Sequence, residues 1–205
     1  MHDYHTKELK TECEKQSMVK YVNLEVCSLT QPHPAWSSAG ASVRELNKAN
    51  VKVKLLTGTY LLEGRKSRMN KSEKIGRCPL CNMGTETREH FLTVCEKLQD
   101  TRERYLKELI SAIDIPINTS HILIKAILDP SHFIKNSKTL YKVERSTRRM
   151  CFALHIKRLQ LLESLANPHQ SQPQQPVQAH NLEHSAAGHP PVTPGCHVKR
   201  DELKL

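Results

Sequence analysis

The chain has 205 residues, with 31 Lys and Arg against 21 Asp and Glu, a formal charge of +10, and only 4% aromatics among 38% hydrophobic residues. Such a composition leaves a modest, aliphatic core and suits an anionic partner. No apolar run approaches the ~20 residues of a membrane span, and the N-terminus MHDYHTKELKTECEKQ has no apolar stretch of a secretory signal, so no membrane partner and a cytoplasmic or nuclear location are expected.

Cysteines number seven, an odd count, and Cys13, Cys27, Cys151 and Cys196 lie far from any partner in sequence. Without an export signal, reduced thiols or metal ligation are expected rather than a disulfide framework. By segment the net charge is −1 over residues 1–40, +6 over 41–110, +5 over 111–166 and zero over 167–205. The positive charge therefore lies in the middle of the chain. The expected organisation follows these segments: a polar N-terminal part (1–40), a helical module with the metal-ligating cysteines (41–110), C-terminal helices (111–166) and a disordered tail (167–205).

In chain order, a helix or strand is expected near SMVKYVNLEVCSL (17–29), followed by a break at QPHPAW. SVRE then announces a helix, with Ser42 as cap and Glu45 able to reach back to it. Val43, Leu46, Ala49, Val53 and Leu56 form the expected inner face, with Arg44, Lys48, Lys52 and Lys54 mostly elsewhere. After Thr57-Gly58 a basic stretch, TYLLEGRKSRMNKSEKIGR, leads into the cysteines.

Next, Phe91, Leu92, Cys95, Leu98, Tyr105, Leu106 and Leu109 keep helical spacing, which predicts one helix from about Glu86 to about Ile110 with Thr85 as N-cap. Pro116 ends that unit. Asn118, Thr119 and Ser120 are cap candidates for HILIKAIL, which stops at Asp129-Pro130. A last long helix over residues 139–165 carries Leu140, Val143, Met150, Leu154, Leu161 and Leu165 on one stripe. The Pro-, Gln- and His-rich residues from Asn167 onward lack the apolar content to offset ordering entropy. The fold class expected is mostly α, with a small CCHC knuckle inserted at Cys78, Cys81, His90 and Cys95.

The chemistry concentrates in CPLCNMGTETREHFLTVC, residues 78–95, spaced C-x2-C-x8-H-x4-C through Cys78, Cys81, His90 and Cys95. Three sulfurs and one imidazole suit tetrahedral Zn2+ and leave no open position for substrate, which argues for a structural ion. A redox dithiol would need a βαβ setting, and the flanks here read as helical. The spacing carries one difficulty: residues five apart sit about 140° round an α-helix, so His90 and Cys95 cannot share an ion unless the helix start departs from ideal form. In the tail, His184, His189, Cys196 and His197 lack paired close spacing, and no specific site is expected there.

LLTGTYLLEGRKSRMNKSEKIGRCPLC, then ETREHFLTVC and LQDTRERYL, resemble the reverse-transcriptase zinc-binding region near the C-terminus of non-LTR retrotransposon polyproteins. VNLEVCSLTQPHPAW upstream and RRMCFALHIKRLQLL downstream extend the resemblance to roughly residues 20–165. It implies that Cys78, Cys81, His90 and Cys95 form a zinc knuckle that helps hold an RNA or DNA template. It also implies a detached piece of a longer protein, with the rest of a reverse transcriptase as a partner.

Paired aspartates of a polymerase are missing, as is an endonuclease cluster; Asp114 and Asp129 stand isolated in sequence. Two-metal phosphoryl chemistry needs convergent carboxylates, so no enzyme activity is expected. The expected function is nucleic-acid contact through Arg65, Lys66, Arg68, Lys71, Lys74, Arg77 and Arg88, a basic strand beside the zinc site. The competing reading is a zinc-stapled helical scaffold or protein-interaction domain.

Overall fold

The computed structural model describes residues 2–28, 30–71, 76–113 and 119–167, and these are mostly helical. α1 (His2–Lys15) precedes two 3-10 turns, Ser17–Val19 and Leu24–Val26; then come α2 (Pro34–Ser37), α3 (Val43–Leu56) and α4 (Glu63–Met69). A π-helical turn (His90–Val94) and a 3-10 turn (Glu96–Leu98) lead into α5 (Gln99–Ala112), α6 (Ser120–Leu128), a 3-10 turn (Pro130–His132) and α7 (Ser137–Ala166). The described residues belong to one unit, in which the segments 1–40, 41–110 and 111–166 share a core. The expectations for residues 168–205, Lys74, Asp114, Pro116 and Asn118 fall outside the described residues. No helix among the described residues is long and apolar enough to cross a membrane.

Local chemistry accounts for the helix starts. The Ser42 hydroxyl accepts the Glu45 N–H (3.3 Å), the Thr119 hydroxyl accepts that of Ile122, and the Asn136 side-chain Oδ1 accepts those of Lys138 and Thr139. Each cap satisfies donors that the first helical turn leaves without a partner. Pro34 opens α2 at the position where its missing N–H costs nothing. α1 was not foreseen: it has no apolar stripe, none of the side chains described in it is buried, and ion pairs such as Glu12–Lys15 (2.6 Å) line its surface.

α7 is the spine, packing against α3 and α5 with Val143, Met150 and Leu154 fully buried. Leu140 and Leu161 are partly buried against that core, while Leu165 points to solvent. On α3 the expected inner face is rotated. Val43 is 74% exposed and Leu46 is exposed too, whereas Lys48, Ala49, Val51, Lys52, Leu55 and Leu56 face inward. The cause is across the interface: Lys52 Nζ donates to Glu144 Oε2 (2.5 Å) and Thr147 Oγ1 (2.6 Å) of α7, both side chains of the ion pair being fully buried. A buried ammonium is tolerated only when so paired.

Asp129, isolated in sequence, ties the N-terminal segment to the far end of α6. Its carboxylate accepts the Asn23 N–H (2.7 Å), the Ser131 hydroxyl (2.6 Å) and a hydrogen bond from His33 Nε2 (3.0 Å). His33 Nδ1 accepts the Ala35 N–H, which places the ring proton on Nε2. Burial alone would push this carboxyl up; the donors from His33, Ser131 and Asn23 overcome it and hold Asp129 at about 2.

Candidate metal centre

The cysteine pair sits on a tight loop closed at its base by a single antiparallel bridge between Arg77 and Thr85. Within it the Cys78 N–H donates to Gly84 O (2.7 Å) and the Asn82 N–H to Cys78 O (2.9 Å). Asn82 takes a left-handed φ of 56°, which asparagine tolerates better than most residues. Thr85 thus serves the bridge and not a helix cap. Thr87 caps instead, its hydroxyl accepting the His90 N–H (3.2 Å) and its carbonyl the Phe91 N–H (2.9 Å).

The single helix expected from Glu86 to Ile110 is broken, and the break resolves the spacing problem. His90–Val94 winds as a π turn, and the Cys95 N–H closes it on His90 O at 2.8 Å. An i-to-i+5 hydrogen bond sets residues five apart one turn from each other, so His90 and Cys95 lie on one side. At Cys95 the chain leaves helical geometry (ψ 115°), and α5 starts only at Gln99.

Cys78 Sγ lies 3.9 Å from Cys95 Sγ, and Cys81 Sγ lies 3.3 Å from His90 Nε2. All four donor atoms lie within 4.8 Å of one another, a group able to hold a metal ion. The sulfur separation is far beyond the ~2.05 Å of a disulfide, and the cysteines are free. Cys78, His90 and Cys95 are buried and Cys81 is partly so. Burial pushes the Cys78 thiol up, and burial together with the neighbouring Cys78 sulfur pushes Cys95 to about 12. Burial also lowers His90, favouring the neutral, ligating imidazole. These thiols become thiolates only where a cation offsets their desolvation.

Three further residues fasten the loop, and none was singled out by sequence reasoning. Glu86 is buried and takes both branches of Arg158 from α7 (2.7 and 2.8 Å) as well as the Glu63 N–H (2.8 Å). Gly76 lets this loop touch the start of α4: a Cβ there would sit 2.3 Å from Glu63 O. Arg102 of α5 donates from Nε to Leu92 O (2.7 Å) and from Nη2 to Cys95 O (2.9 Å). A helical wheel cannot show these partners, because each depends on where the chain turns.

Six of the seven basic residues expected to meet nucleic acid are among the described residues, and these take different places. Arg65, Lys66 and Arg68 lie on α4, a helix and not a strand. Lys66 is exposed beside Glu63 (2.6 Å), Arg68 is exposed, and Arg65 donates to Gly58 O. Lys71 and Arg77 are exposed. Arg88 is turned inward: its guanidinium donates to the carbonyls of Met18 (2.8 Å), Leu55 (3.1 Å) and Leu56 (2.9 Å) and lies over the Tyr21 ring. It caps the C-terminal end of α3, where exposed carbonyls attract a cation. Between α4, the Ser17–Val19 turn and the metal loop lies a cleft of about 790 Å³, lined among others by Lys20, Tyr60, Arg65, Arg68 and Glu89.

No protein-family model matches the chain, and neither a curated protein nor a solved structure matches it.

Proposed function

We propose that this chain is a non-catalytic module stapled by a structural zinc ion, of the kind found in the reverse-transcriptase zinc-binding region, and that it contacts RNA or DNA through the basic residues around α4. The observation that carries the metal reading is the convergence of three sulfurs and one imidazole nitrogen within 4.8 Å. Zinc bonds of ~2.3 Å to sulfur and ~2.0–2.1 Å to nitrogen give tetrahedral edges of about 3.8 Å between sulfurs and about 3.5 Å between sulfur and nitrogen. The separations of 3.9 and 3.3 Å lie close to these. Four protein donors fill the tetrahedron, so the ion supplies folding energy and no Lewis-acid site.

Support for nucleic-acid contact is electrostatic. Lys66, Arg68, Lys71 and Arg77 are exposed around α4 and the loop base. Lys20 and Arg65 join Arg68 along the neighbouring cleft, whose carboxylates Glu86 and Glu89 are engaged by Arg158 and Lys20. Arg88 is not among the proposed contacts. The competing reading, a protein-interaction scaffold, is favoured by the exposed apolar residues Ile156, Leu159 and Leu165 on α7.

Metal analysis of the purified chain and titration with single-stranded oligonucleotides at several salt concentrations test both halves. One zinc per chain and binding that weakens steeply with salt are expected. A metal-free, folded chain would sink the first half; salt-insensitive binding, or none, would sink the second.

A further inference from the structure

Arg102 is 6% exposed, and no carboxylate hydrogen-bonds it among the described residues. The other buried arginines contrast with it. Arg158 is forked onto Glu86, and Arg148 reaches Glu45 (3.4 Å) as well as Ser38. A guanidinium taken out of water needs a counter-charge nearby. Its chain neighbour Glu103 is exposed and accepts from Gln99, whereas two of the Arg102 nitrogens end on the carbonyls of Leu92 and Cys95, the second belonging to a ligand.

A divalent ion held by three thiolates and a neutral imidazole carries one surplus negative charge. Solvent does little to offset it there, because Cys78 and Cys95 are each 1% exposed. We infer that Arg102 is the outer partner of the metal centre, balancing that charge and holding Cys95 in ligating position through the two carbonyls. This rests on the zinc reading above. The geometry shows how the break at Cys95 is accommodated. Past the π turn the backbone no longer continues as a regular helix; Arg102 supplies a donor to Leu92 O and a second donor to Cys95 O, which otherwise receives the Leu98 N–H (3.2 Å). A planar fork presents its donors from separate nitrogens, one to each carbonyl; an ammonium must direct all its donors from a single nitrogen.

Arg102→Gln and Arg102→Lys, made in the full chain, test this against wild type by titrating apo protein with Co2+ and then with Zn2+ in competition with a chromophoric chelator. Wild type is expected to take one ion per chain. Arg102→Gln should bind Zn2+ about 10–100-fold more weakly, the range for loss of an outer partner. Its thiolate-to-cobalt band should fall by roughly a third as Cys95, one of three thiolates, leaves the ion. Arg102→Lys should recover part of the affinity, through its charge, but not the full band. Unchanged affinity and band in both variants would overturn the inference while leaving the zinc reading intact. So would an equal loss of thermal stability in apo and loaded protein at constant affinity, which would make Arg102 a support of the fold alone. Failure of wild type to load any ion would remove both.

Discussion

The metal loop and the α3–α7 interface solve the burial of polar groups in opposite ways. In the loop, three buried donors and a partly buried fourth come from 18 residues of chain, and the groups converge through turns and hydrogen bonds of short range. At the interface, Lys52 and Glu144 are separated by 92 positions and meet only because two helices pack. On the zinc reading the loop depends on an external ion, whereas the interface carries its own counter-charge. Perturbations should separate the two regions cleanly.

Metal loss should have the largest effect. Apparent zinc binding is worth ~10–16 kcal/mol at neutral pH, comparable with a domain's whole stability of about 5–15 kcal/mol. Cys81→Ser should abolish stoichiometric zinc and strip amide-exchange protection from the His90–Val94 turn and the start of α5. Protection along α3 and the middle of α7 should fall less. Uniform loss along the chain would show that the two regions do not fold independently of the ion.

Next in size is the ion pair. Lys52→Met leaves the Glu144 carboxylate buried and unpaired, and should cost about 3–5 kcal/mol in urea unfolding of the zinc-loaded chain. Replacing Glu144 by Leu in the same chain should restore most of that loss, since apolar pairs often substitute for buried ions without cost. Zinc stoichiometry should stay unchanged in both variants.

Acid probes a second nonlocal contact, the Asp129 cluster. Its folded value of about 2 lies below the ~3.9 of an unfolded aspartate, so its contribution is fully present above about pH 4. That contribution, roughly 2–3 kcal/mol, is lost as pH falls towards 2. Asp129→Asn should lower stability at pH 7 and flatten the dependence between about pH 4 and 2 relative to wild type. Identical acid profiles would show that the cluster carries no linkage.

The smallest effect concerns the surface. Lys66, Lys71 and Arg77 changed together to Ala should reduce the log–log salt slope for single-stranded oligonucleotides by about 2, some 0.7 per phosphate contact, with thermal stability almost unchanged. An unaltered slope would return these side chains to an ordinary solvated surface.

Much of the metal centre was legible because its information is local. Cys78, Cys81, His90 and Cys95 could be named from spacing, and the structure brings all four together. Ser42 and Thr119 could be named as caps because a cap needs only its own first turn. Predicted helix bounds failed where a tertiary demand overrode periodicity: the run from Glu86 to Ile110 keeps its 3.6 spacing in sequence, yet it breaks at Cys95. The inner face of α3 was misread for a related reason. Lys52 looks like a solvent residue until Glu144 and Thr147 are placed against it.

By itself, then, the sequence determined a mostly helical chain with one set of four donors in reach of one another, because turns, caps and apolar repeats act over a few residues. Tertiary structure alone decided which side of α3 is buried, that Arg88 caps α3 and Arg102 braces Cys95, and that Asp129 binds the N-terminal segment. Buried charges are placed by their partners, and a partner distant along the chain is defined only once the helices have packed.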